Sequence, residues 1–503
     1  MKRYWLIGVM LFLSAGTAFA GNLKTLNVGF SYDAKSLDPL QAVDTLSFSV
    51  LKQINETLVT VDGHTKKLVP VLAERWEVLD PQTYKFYLKK GVKFHNGEEL
   101  TADDVVFSFK RALSPESLYA KSKAKYIDPE GFEIIDKYTL IVRTRGPVGG
   151  WLESMKHPYA SIYNRKAVES AGKEYFRNPV GTGPFKFKKW VKGERIELEA
   201  FDDYHGEKAK FRNLNFIVIS DDSSRVISLE TGRTDLIYSV PASDVERINE
   251  DGKAKAIQTP GLVLTYLGMN TQKGALKDVR VRKATEYAID KDAYVQVVYQ
   301  NKAVVPPGPL VPASTFVPAR VNVYKRNVAE ARRLLAEAGY ANGLELELWV
   351  ASNQKDINGA TVIQAMLAEV GIKINVSVME SGIFDDRVMH NQQDLIISQW
   401  GMQTNRDAGQ FWLSLFHSAS IGATNWTLLK DGEVDKQLDL ANSTVDPEKR
   451  DELLQTVWNR LDELHPFVSL VVPNEIYGIR KDLVGAENFV DGRLNYLGNL
   501  YVE

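Results

Sequence analysis

Hydrophobic and polar residues follow a period of two in short segments between residues 340 and 400. Leucine and valine alternate with glutamate and tryptophan over 344–350, and isoleucine and valine alternate with polar residues over 372–378. A third segment, 395–399, is mostly apolar. Because successive side chains of a strand point to opposite faces, this pattern predicts two half-buried strands and a third that is more deeply buried.

Runs with helical spacing precede and separate these three strands. Apolar residues recur three and four positions apart after Asn327, which is a suitable N-cap, and again over 362–370, and the two runs stop at Gly339 and Gly371. A further helix is predicted at 382–390. The order β-α-β-α-β is typical of a parallel sheet with right-handed crossovers, so we predict an α/β fold.

Two segments follow the carboxyl ends of these strands, where ligands of parallel sheets bind. They are 351–353, which ends at Asn353, and 400–407, which runs from Trp400 to Asp407. A tryptophan supplies a rigid apolar wall, and the polar residues after it can orient a ligand. We therefore expect the second segment to be a binding loop. The alternative is a core tryptophan followed by a solvated loop.

The remaining elements have less distinctive patterns. They are strands at 25–31 and 84–88, helices at 45–59, 69–76 and 103–112, and an extended loop at 303–318. Thr101 is the predicted N-cap of the third helix. The loop contains five prolines, and proline continues neither a helix nor a central strand.

Composition excludes several functional classes. The 503 residues include 62 Lys+Arg and 64 Asp+Glu, and a net charge of −2 gives no electrostatic footprint for nucleic acid. The lack of cysteine excludes disulfides, thiolate metal sites and cysteine nucleophiles. The sequence has neither a GxSxG nor an HExxH motif, which disfavours a hydrolase, although an acid/base pair among the carboxylates stays open. We predict no enzyme activity, no cofactor and no metal site.

Residues 1–20 have the pattern of a secretory signal peptide. Lys2 and Arg3 precede a short apolar run, 4–13, and the segment ends in Ala18-Phe19-Ala20. The apolar run is too short to span a bilayer core, which needs about twenty residues. We predict cleavage after Ala20 and a soluble periplasmic protein.

Several short motifs occur in a characteristic order along the chain. They are SLDP (36–39), GVKFHNGEELTADDVVFSFKR (91–111), NPVGTGPF (178–185), YHG (204–206), NT (270–271), DVRVR (278–282) and AID (288–290). Together they make the chain resemble the extracellular solute-binding proteins of family 5, the receptors of ABC importers for peptides, nickel and related solutes. Taken alone, the 91–111 stretch has the pattern of scaffold, and the GTGP turn lacks the spacing of a phosphate-binding loop.

The resemblance implies a two-lobed periplasmic-binding-protein fold of type II-like architecture, with an extra domain inserted in the first lobe. After the signal peptide, 1–20, lobe I would comprise 21–55, 181–265 and 479–503. The extra domain would be 56–180, and lobe II would be 266–478. The expected partners are a peptide or peptide-like ligand and an inner-membrane ABC permease, and the protein is expected to be a monomer.

The same resemblance suggests which residues touch the ligand. In peptide-binding relatives a carboxylate soon after the tryptophan pairs with the ligand α-ammonium, whereas here Gln403 or Thr404 takes that place. Those relatives also keep an arginine near the position of Asn358. Both charged groups that would hold a free dipeptide are therefore missing. Asn405 and Arg406 complete the expected polar set of the loop, and Asp407 falls later in the chain, with an apparent one-residue insertion.

Other lining residues follow from family position alone. Thr45 lies at the rim of the first lobe, and Tyr126 and Tyr159 belong to the extra domain. Asn353 stands at the other strand end. His417 lies near the place where nickel-binding relatives use a histidine, but a tight metal site usually needs several protein ligands.

We interpret the sequence as a non-catalytic receptor that captures a peptide or peptide-like solute by lobe closure. Alternatives are a receptor for a non-peptide solute, such as an opine-like conjugate, glutathione or a nickel chelate, and a secreted hydrolase. A receptor that reports to a membrane chemoreceptor would have the same sequence features. Simple dipeptides are expected to bind poorly, because buried charges need partners.

Overall fold

The computed structural model describes residues 24–65, 67–250, 252–402, 406–489 and 496–502. Its strands are β1 Thr25–Phe30, β2 Val59–Val61, β3 Leu68–Pro70, β4 Ala73–Asp80, β5 Thr83–Leu88, β6 Ile127–Asp136, β7 Thr139–Thr144, β8 Phe185–Val191, β9 Arg195–Ala200, β10 Asn213–Val218, β11 Leu236–Ile237, β12 Ala254–Pro260, β13 Val263–Met269, β14 Ala303–Val304, β15 Leu344–Ala351, β16 Ile372–Met379, β17 Leu395–Gly401, β18 Phe467–Arg480, β19 Leu483–Val484 and β20 Tyr501–Val502.

The α-helices of the same residues lie between and over these strands. They are α1 Thr45–Ile54, α2 Ala102–Ala112, α3 Ala120–Lys123, α4 Trp151–Ser154, α5 Arg165–Ala171, α6 Asp222–Glu230, α7 Val245–Glu250, α8 Val279–Ala288, α9 Lys291–Tyr299, α10 Val328–Glu337, α11 Gln354–Ala368, α12 Ser381–Met389, α13 Ala408–Phe416, α14 Gly432–Ser443 and α15 Pro447–Leu464. The predicted mixed α/β class is confirmed.

The second lobe contains the predicted parallel unit. β15 pairs in parallel with β16 along its whole length and with β17 at Leu348 and Trp349. The strand order is β16-β15-β17, with α11 and α12 in the two connections and α10 before β15. Leu346, Leu348 and Val350 are buried in the core of this lobe, as their alternation predicted. The β-α-β-α-β prediction is confirmed.

The first lobe is built on β1, which pairs in parallel with β10 and β11. β9 and β8 extend this half of the sheet in antiparallel fashion. Its core includes Leu26, Val28 and Phe30 of β1, and Leu46 and Leu51 from one face of α1. Helix α1 is therefore fixed against the sheet, and of its ten residues only Thr45 and Lys52 are not buried.

One long strand, β18, connects the two lobes. Its first residues pair with β13 of the second lobe, and its last residues pair with β11 and β12 of the first. The sheet therefore continues from β16 through β18 to β8. The predicted domain boundaries at 265/266 and 478/479 lie inside β13 and β18, and the division of the chain into domains stays a prediction.

A four-stranded antiparallel sheet forms the part of the chain predicted as the extra domain. The strand order is β4-β5-β7-β6, and the core beneath α2 includes Tyr84, Phe86 and Phe109. Asp104 accepts a hydrogen bond from the Thr101 amide at 2.9 Å, so the predicted start of α2 is confirmed. The 91–111 stretch thus contributes packing and helix initiation.

Two sequence predictions in this region are wrong. Residues 69–76 form the end of β3 and the start of β4 instead of a helix, because Trp76 pairs across a hairpin with Phe86 and Pro70 cannot donate within a helix. The helix predicted at 45–59 ends at Ile54, because Asn55 is extended (φ −114°, ψ 150°) and leads into β2.

The GTGP turn joins the segments by close packing. A Cβ atom on Gly181 or Gly183 would collide with the backbone carbonyl of Ile54 at the end of α1. Glycine is required here for close approach, which agrees with the reading of this motif as a tight structural turn.

Candidate functional site

Trp400 lies at the carboxyl end of β17, opposite Leu264 of β13. Its ring is half-buried and meets Trp426 edge-on, with 6.4 Å between the ring centroids. The position at a strand end is the one that the sequence pattern predicted. Gln403, Thr404 and Asn405 lie outside the described residues, so their roles stay predictions.

Arg406 is held by the proline-rich loop of residues 303–318. Its backbone carbonyl accepts hydrogen bonds from the Thr315 amide at 3.0 Å and from the Thr315 hydroxyl at 3.1 Å, and Ser314 donates at 3.3 Å. Only 4% of the Arg406 surface is exposed. The loop therefore fixes the backbone of Arg406.

Asp407 is engaged within the protein. Its two carboxylate oxygens accept hydrogen bonds from Nη1 and Nη2 of Arg450 at 2.6 and 2.8 Å, and Oδ1 also caps α13 through the Gln410 amide. Both charged side chains are almost fully buried. Burial alone would lower the pKa of Arg450, but the Asp407 charge outweighs it and raises that pKa. This arrangement assigns Asp407 a structural partner, so a swing toward a ligand cation would break a buried ion pair.

A cavity of about 710 Å³, here called the main cavity, opens next to Arg406. Lobe I supplies α1 and the segments 484–489 and 496–501, and the extra domain supplies residues of 57–71 and 156–161. Arg406 reaches the cavity from the second lobe. The main cavity therefore lies where three parts of the chain meet.

One face of α1 forms a wall of the main cavity. Phe48, Leu51, Lys52 and Asn55 line it, at positions i, i+3, i+4 and i+7 of the helix. This spacing is readable in the sequence once the cavity is known. Sequence reasoning named Thr45 at the rim of this helix and missed the four residues.

Carboxylates on the cavity wall already have partners. Glu56 accepts from the Tyr204 hydroxyl at 2.9 Å and contacts His205 Nε2 at 2.8 Å. Asp62 accepts from the Thr65 amide at 2.7 Å, and Glu487 accepts from the Gly485 amide at 3.1 Å. The cations Lys52, Lys156 and Arg406 line the same space. The wall thus combines apolar surface with both signs of charge.

His157 joins lobe I to the extra domain through aromatic contacts. Its ring centroid lies 5.2 Å from that of Phe48, 5.0 Å from Tyr119 and 5.3 Å from Tyr159. Burial, together with the charges of Lys123 and Lys156, lowers the pKa of His157 to about 3. The imidazole is therefore neutral at ordinary pH.

Tyr126 and Tyr159 lie together at a second, smaller opening of about 50 Å³. The Tyr159 hydroxyl is 2.7 Å from Ser154 Oγ, and burial raises the pKa of Tyr126. Gln410 of α13, in the second lobe, lines the same opening. The structure thus brings these two predicted residues together near Asp407.

Thr45 and Asn353 begin helices. Thr45 is the first residue of α1 and is half-buried. Asn353 is exposed and caps α11 through the Asp356 amide at 3.0 Å. Neither Thr45 nor Asn353 is among the described residues that line the two openings. Their role in binding stays a prediction.

Two searches over the described part of the chain were negative. We found no helix long and apolar enough to cross a membrane within these residues. Nor do they contain a group of three or more metal-ligating side chains that could hold an ion. His417 is close to Asp435 and Asp439, at 3.9 and 3.4 Å, and caps a short turn through Nδ1.

Comparison with known proteins agrees with the motifs found in the sequence. A family model for bacterial extracellular solute-binding proteins, family 5 Middle, matches residues 67–422. The dipeptide-binding protein of Escherichia coli K12 is 30% identical over 505 residues, covering 95% of this chain and 91% of that protein. Heme-binding protein A of Haemophilus influenzae is 31% identical over 429 residues, covering 80% and 78%.

The fold is shared with a solved structure of HbpA2 from Haemophilus parasuis. The TM-score is 0.88 at 27% identity, with 95% of this chain and 100% of the other chain covered. The two-lobed fold predicted from the resemblance is consistent with this similarity. The chain belongs to family 5 of the bacterial extracellular solute-binding proteins, the substrate-binding components of ABC importers.

Proposed function

We propose that this protein binds a peptide or peptide-like solute in the main cavity and delivers it to an inner-membrane permease, without catalysing a reaction. The main cavity carries this proposal. Its volume of about 710 Å³ falls in the range typical of small-molecule sites, roughly 300–1,000 Å³. A solute there would touch both lobes and the extra domain, so binding would favour their closure.

The chemistry of the cavity wall suits a peptide-like solute. Such a solute presents apolar side chains, backbone amides and charged ends, and the wall offers Phe48 and Leu51 beside Lys52 and Arg406. Arg406 can meet a carboxylate with two parallel hydrogen bonds. The similarity to a dipeptide-binding protein supports the same solute class. The two charged groups that would hold a free dipeptide are predicted to be missing. We therefore favour longer or modified peptides.

Heme is the ligand that a second relative suggests. Heme-binding protein A is 31% identical to this chain. His157 lines the main cavity, and a neutral imidazole can ligate iron. We favour a peptide because amides and charges of both signs line the wall, and heme enters the experiment as a competitor.

Cellular location and assembly belong to the same proposal. Signal-peptide cleavage after Ala20 would release a monomer into the periplasm. Fractionation of the native host, with N-terminal sequencing of the mature protein and light scattering of the purified chain, checks both points. Retention in the cytoplasm would contradict the proposal.

The main experiment identifies the solute directly. Native mass spectrometry of the protein as purified would reveal a retained solute. Calorimetry would then compare pools of di- to pentapeptides, glutathione, opine-like conjugates, nickel chelates and hemin. We expect tri- to pentapeptides or a modified peptide to bind most tightly and to be recovered intact after long incubation. Preference for hemin or a nickel chelate, or hydrolysis of a peptide, would contradict the proposal.

A matched pair of variants locates the site. Arg406→Gln should weaken binding of the best solute at least tenfold, because a buried cation that meets an anionic group is removed. Arg233→Gln, which changes an exposed arginine in the turn after α6, should bind as the unaltered protein does. Equal affinity of both variants would place the solute outside the main cavity.

A further inference from the structure

Two buried polar side chains on the wall of the main cavity have atoms without hydrogen-bond partners. Neither the amide nitrogen nor the amide oxygen of the Asn55 side chain has one, and only 6% of this residue is exposed. His157 is 4% exposed, and its Nε2 is likewise unpartnered. Buried polar groups are nearly always hydrogen-bonded in folded proteins, so two such groups on one cavity indicate that something else pairs with them.

The two side chains lie at opposite ends of one strip of α1. The His157 ring packs against Phe48, whereas Asn55 follows the last turn of the helix. Phe48 and Asn55 are seven residues apart on the same face, a rise of about 10 Å. Lys52 and Leu51 line the strip between them. An extended chain of three residues covers about the same length.

Hydrogen bonding fixes which groups the strip can recognise. Nδ1 of His157 accepts from the Tyr159 amide at 3.1 Å, so the neutral ring carries its proton on Nε2. That nitrogen is a donor and needs an acceptor such as a carbonyl or carboxylate oxygen. The Asn55 side chain offers a donor and an acceptor side by side, which is the complement of a peptide group.

We infer that Asn55 and His157 form a subsite for an extended peptide of three or more residues lying along α1. The Asn55 carboxamide pairs with a backbone amide of the solute, and His157 Nε2 donates to a carbonyl or the terminal carboxylate. This inference rests on the proposed function and makes it more specific, since a dipeptide is too short to reach both ends. Carboxylates on the same wall do not pair with these donors, because Glu56, Asp62 and Glu487 accept hydrogen bonds from other groups and the Asn55 and His157 donors have no partner.

Asn55→Leu is the decisive variant. Leucine has nearly the same size and removes two unpaired polar atoms, so the unfolding temperature without solute should stay equal or rise. A structural role predicts the opposite. Asn270→Leu serves as the stability control, because Asn270 is 2% exposed and its side chain donates to the Gln393 carbonyl at 2.9 Å. That variant should unfold at a lower temperature.

His157→Asn tests the other end of the strip. The asparagine oxygen can replace Nδ1 as acceptor for the Tyr159 amide, whereas the donor at Nε2 is lost. The turn should therefore keep its geometry while recognition of the solute weakens. Its unfolding temperature is measured beside that of Asn55→Leu.

Binding is measured with pools of dipeptides, tripeptides and tetrapeptides, and the best member of each pool is titrated by calorimetry. We expect each variant to lose at least tenfold in affinity for the tri- and tetrapeptide and clearly less for the dipeptide. If the unaltered protein binds no peptide, the proposed function fails and this inference falls with it. If it binds peptides and both variants bind them equally well, or if Asn55→Leu unfolds as early as Asn270→Leu, only this inference is overturned.

Discussion

Arg450 and Asp407 form a two-bonded ion pair in the interior, with Nη1–Oδ2 and Nη2–Oδ1 distances of 2.6 and 2.8 Å. The pair joins α15 to the start of α13, directly after the loop that follows Trp400. Arg450 also donates through Nε to the Ala441 carbonyl at 2.9 Å. The loop therefore ends at a rigid point.

Asp407→Asn should destabilise the protein by about 3 kcal/mol, because it leaves the Arg450 charge buried without a counter-charge. Asparagine still caps α13, so the loss reports the ion pair alone. The double variant Asp407→Asn, Arg450→Met should recover part of the loss. Urea unfolding of the four proteins of this cycle measures the coupling, and a coupling energy below about 0.5 kcal/mol would contradict a structural role.

Trp400 is not among the residues that line the main cavity, so it would meet a solute there only on lobe closure. With such closure, Trp400→Ala should weaken solute binding about thirtyfold or more, the effect of losing roughly 2 kcal/mol from an aromatic anchor. The ring is only half-buried, so the unfolding temperature should fall modestly. Calorimetry with the solute identified by mass spectrometry gives the affinity.

Trp190→Ala is the control for this change. Trp190 is also half-buried, but it belongs to β8 at the far edge of the first lobe and donates to Asp33 at 3.1 Å. Its loss should leave affinity unchanged. Unaltered affinity of Trp400→Ala, or its failure to fold, would assign Trp400 to the core.

The fold could be predicted in large part from local patterns. The alternation in β15 and β16 and the glycine stops after their helices depend only on neighbours in the chain, and the structure confirms them. The helix predicted at 69–76 failed because pairing of Trp76 with Phe86 across a hairpin outweighed local spacing. The continuous strand β18 was also not predicted, since its partners come from both lobes.

The candidate site was predicted less completely than the fold. Of the loop predicted from the strand end, Arg406 lines the main cavity, whereas Trp400 does not, and the contact of Trp400 with a solute stays a prediction. Asn55 was not predicted to line the site. It resembles an ordinary helix end until Ser161, Tyr204 and the C-terminal segment are placed around it. The last turn of α1 becomes a cavity wall only through these distant contacts. Asp407 could not be recognised as an ion-pair residue, because Arg450 is 43 positions away.

The unfolding free energy should fall as the pH drops from 7.5 to 5.0, partly because of His465. Burial lowers the pKa of His465 to about 3, with contributions from the charges of Lys283, Arg282 and Lys291. Below the unfolded-state pKa of about 6.5, this histidine therefore binds a proton in the unfolded chain but not in the folded chain. Between pH 7.5 and 5.0 this single residue costs about 2 kcal/mol.

His465→Asn should remove that share of the pH dependence. The residue has φ 47°, in the left-handed region that asparagine tolerates, so the helix end should survive. The loss of stability from pH 7.5 to 5.0 should be about 2 kcal/mol smaller than in the unaltered protein. His390→Asn changes a histidine whose side chain is 66% exposed and serves as the control. Parallel pH curves for all three proteins would contradict the assignment.

Saturation with the identified solute should compact the protein. The lobes are connected by β18 and by the turn between β12 and β13, where the Gly261 amide donates to the Pro473 carbonyl at 2.9 Å. Pro260 and Pro473 have no amide hydrogen, so neither donates a ladder bond at this point. Small-angle scattering should show a smaller radius of gyration with the solute than with a non-binding peptide at the same concentration. An unchanged radius at saturation would mean that binding does not close the lobes, and Arg406 would then have to meet the solute in the arrangement described here.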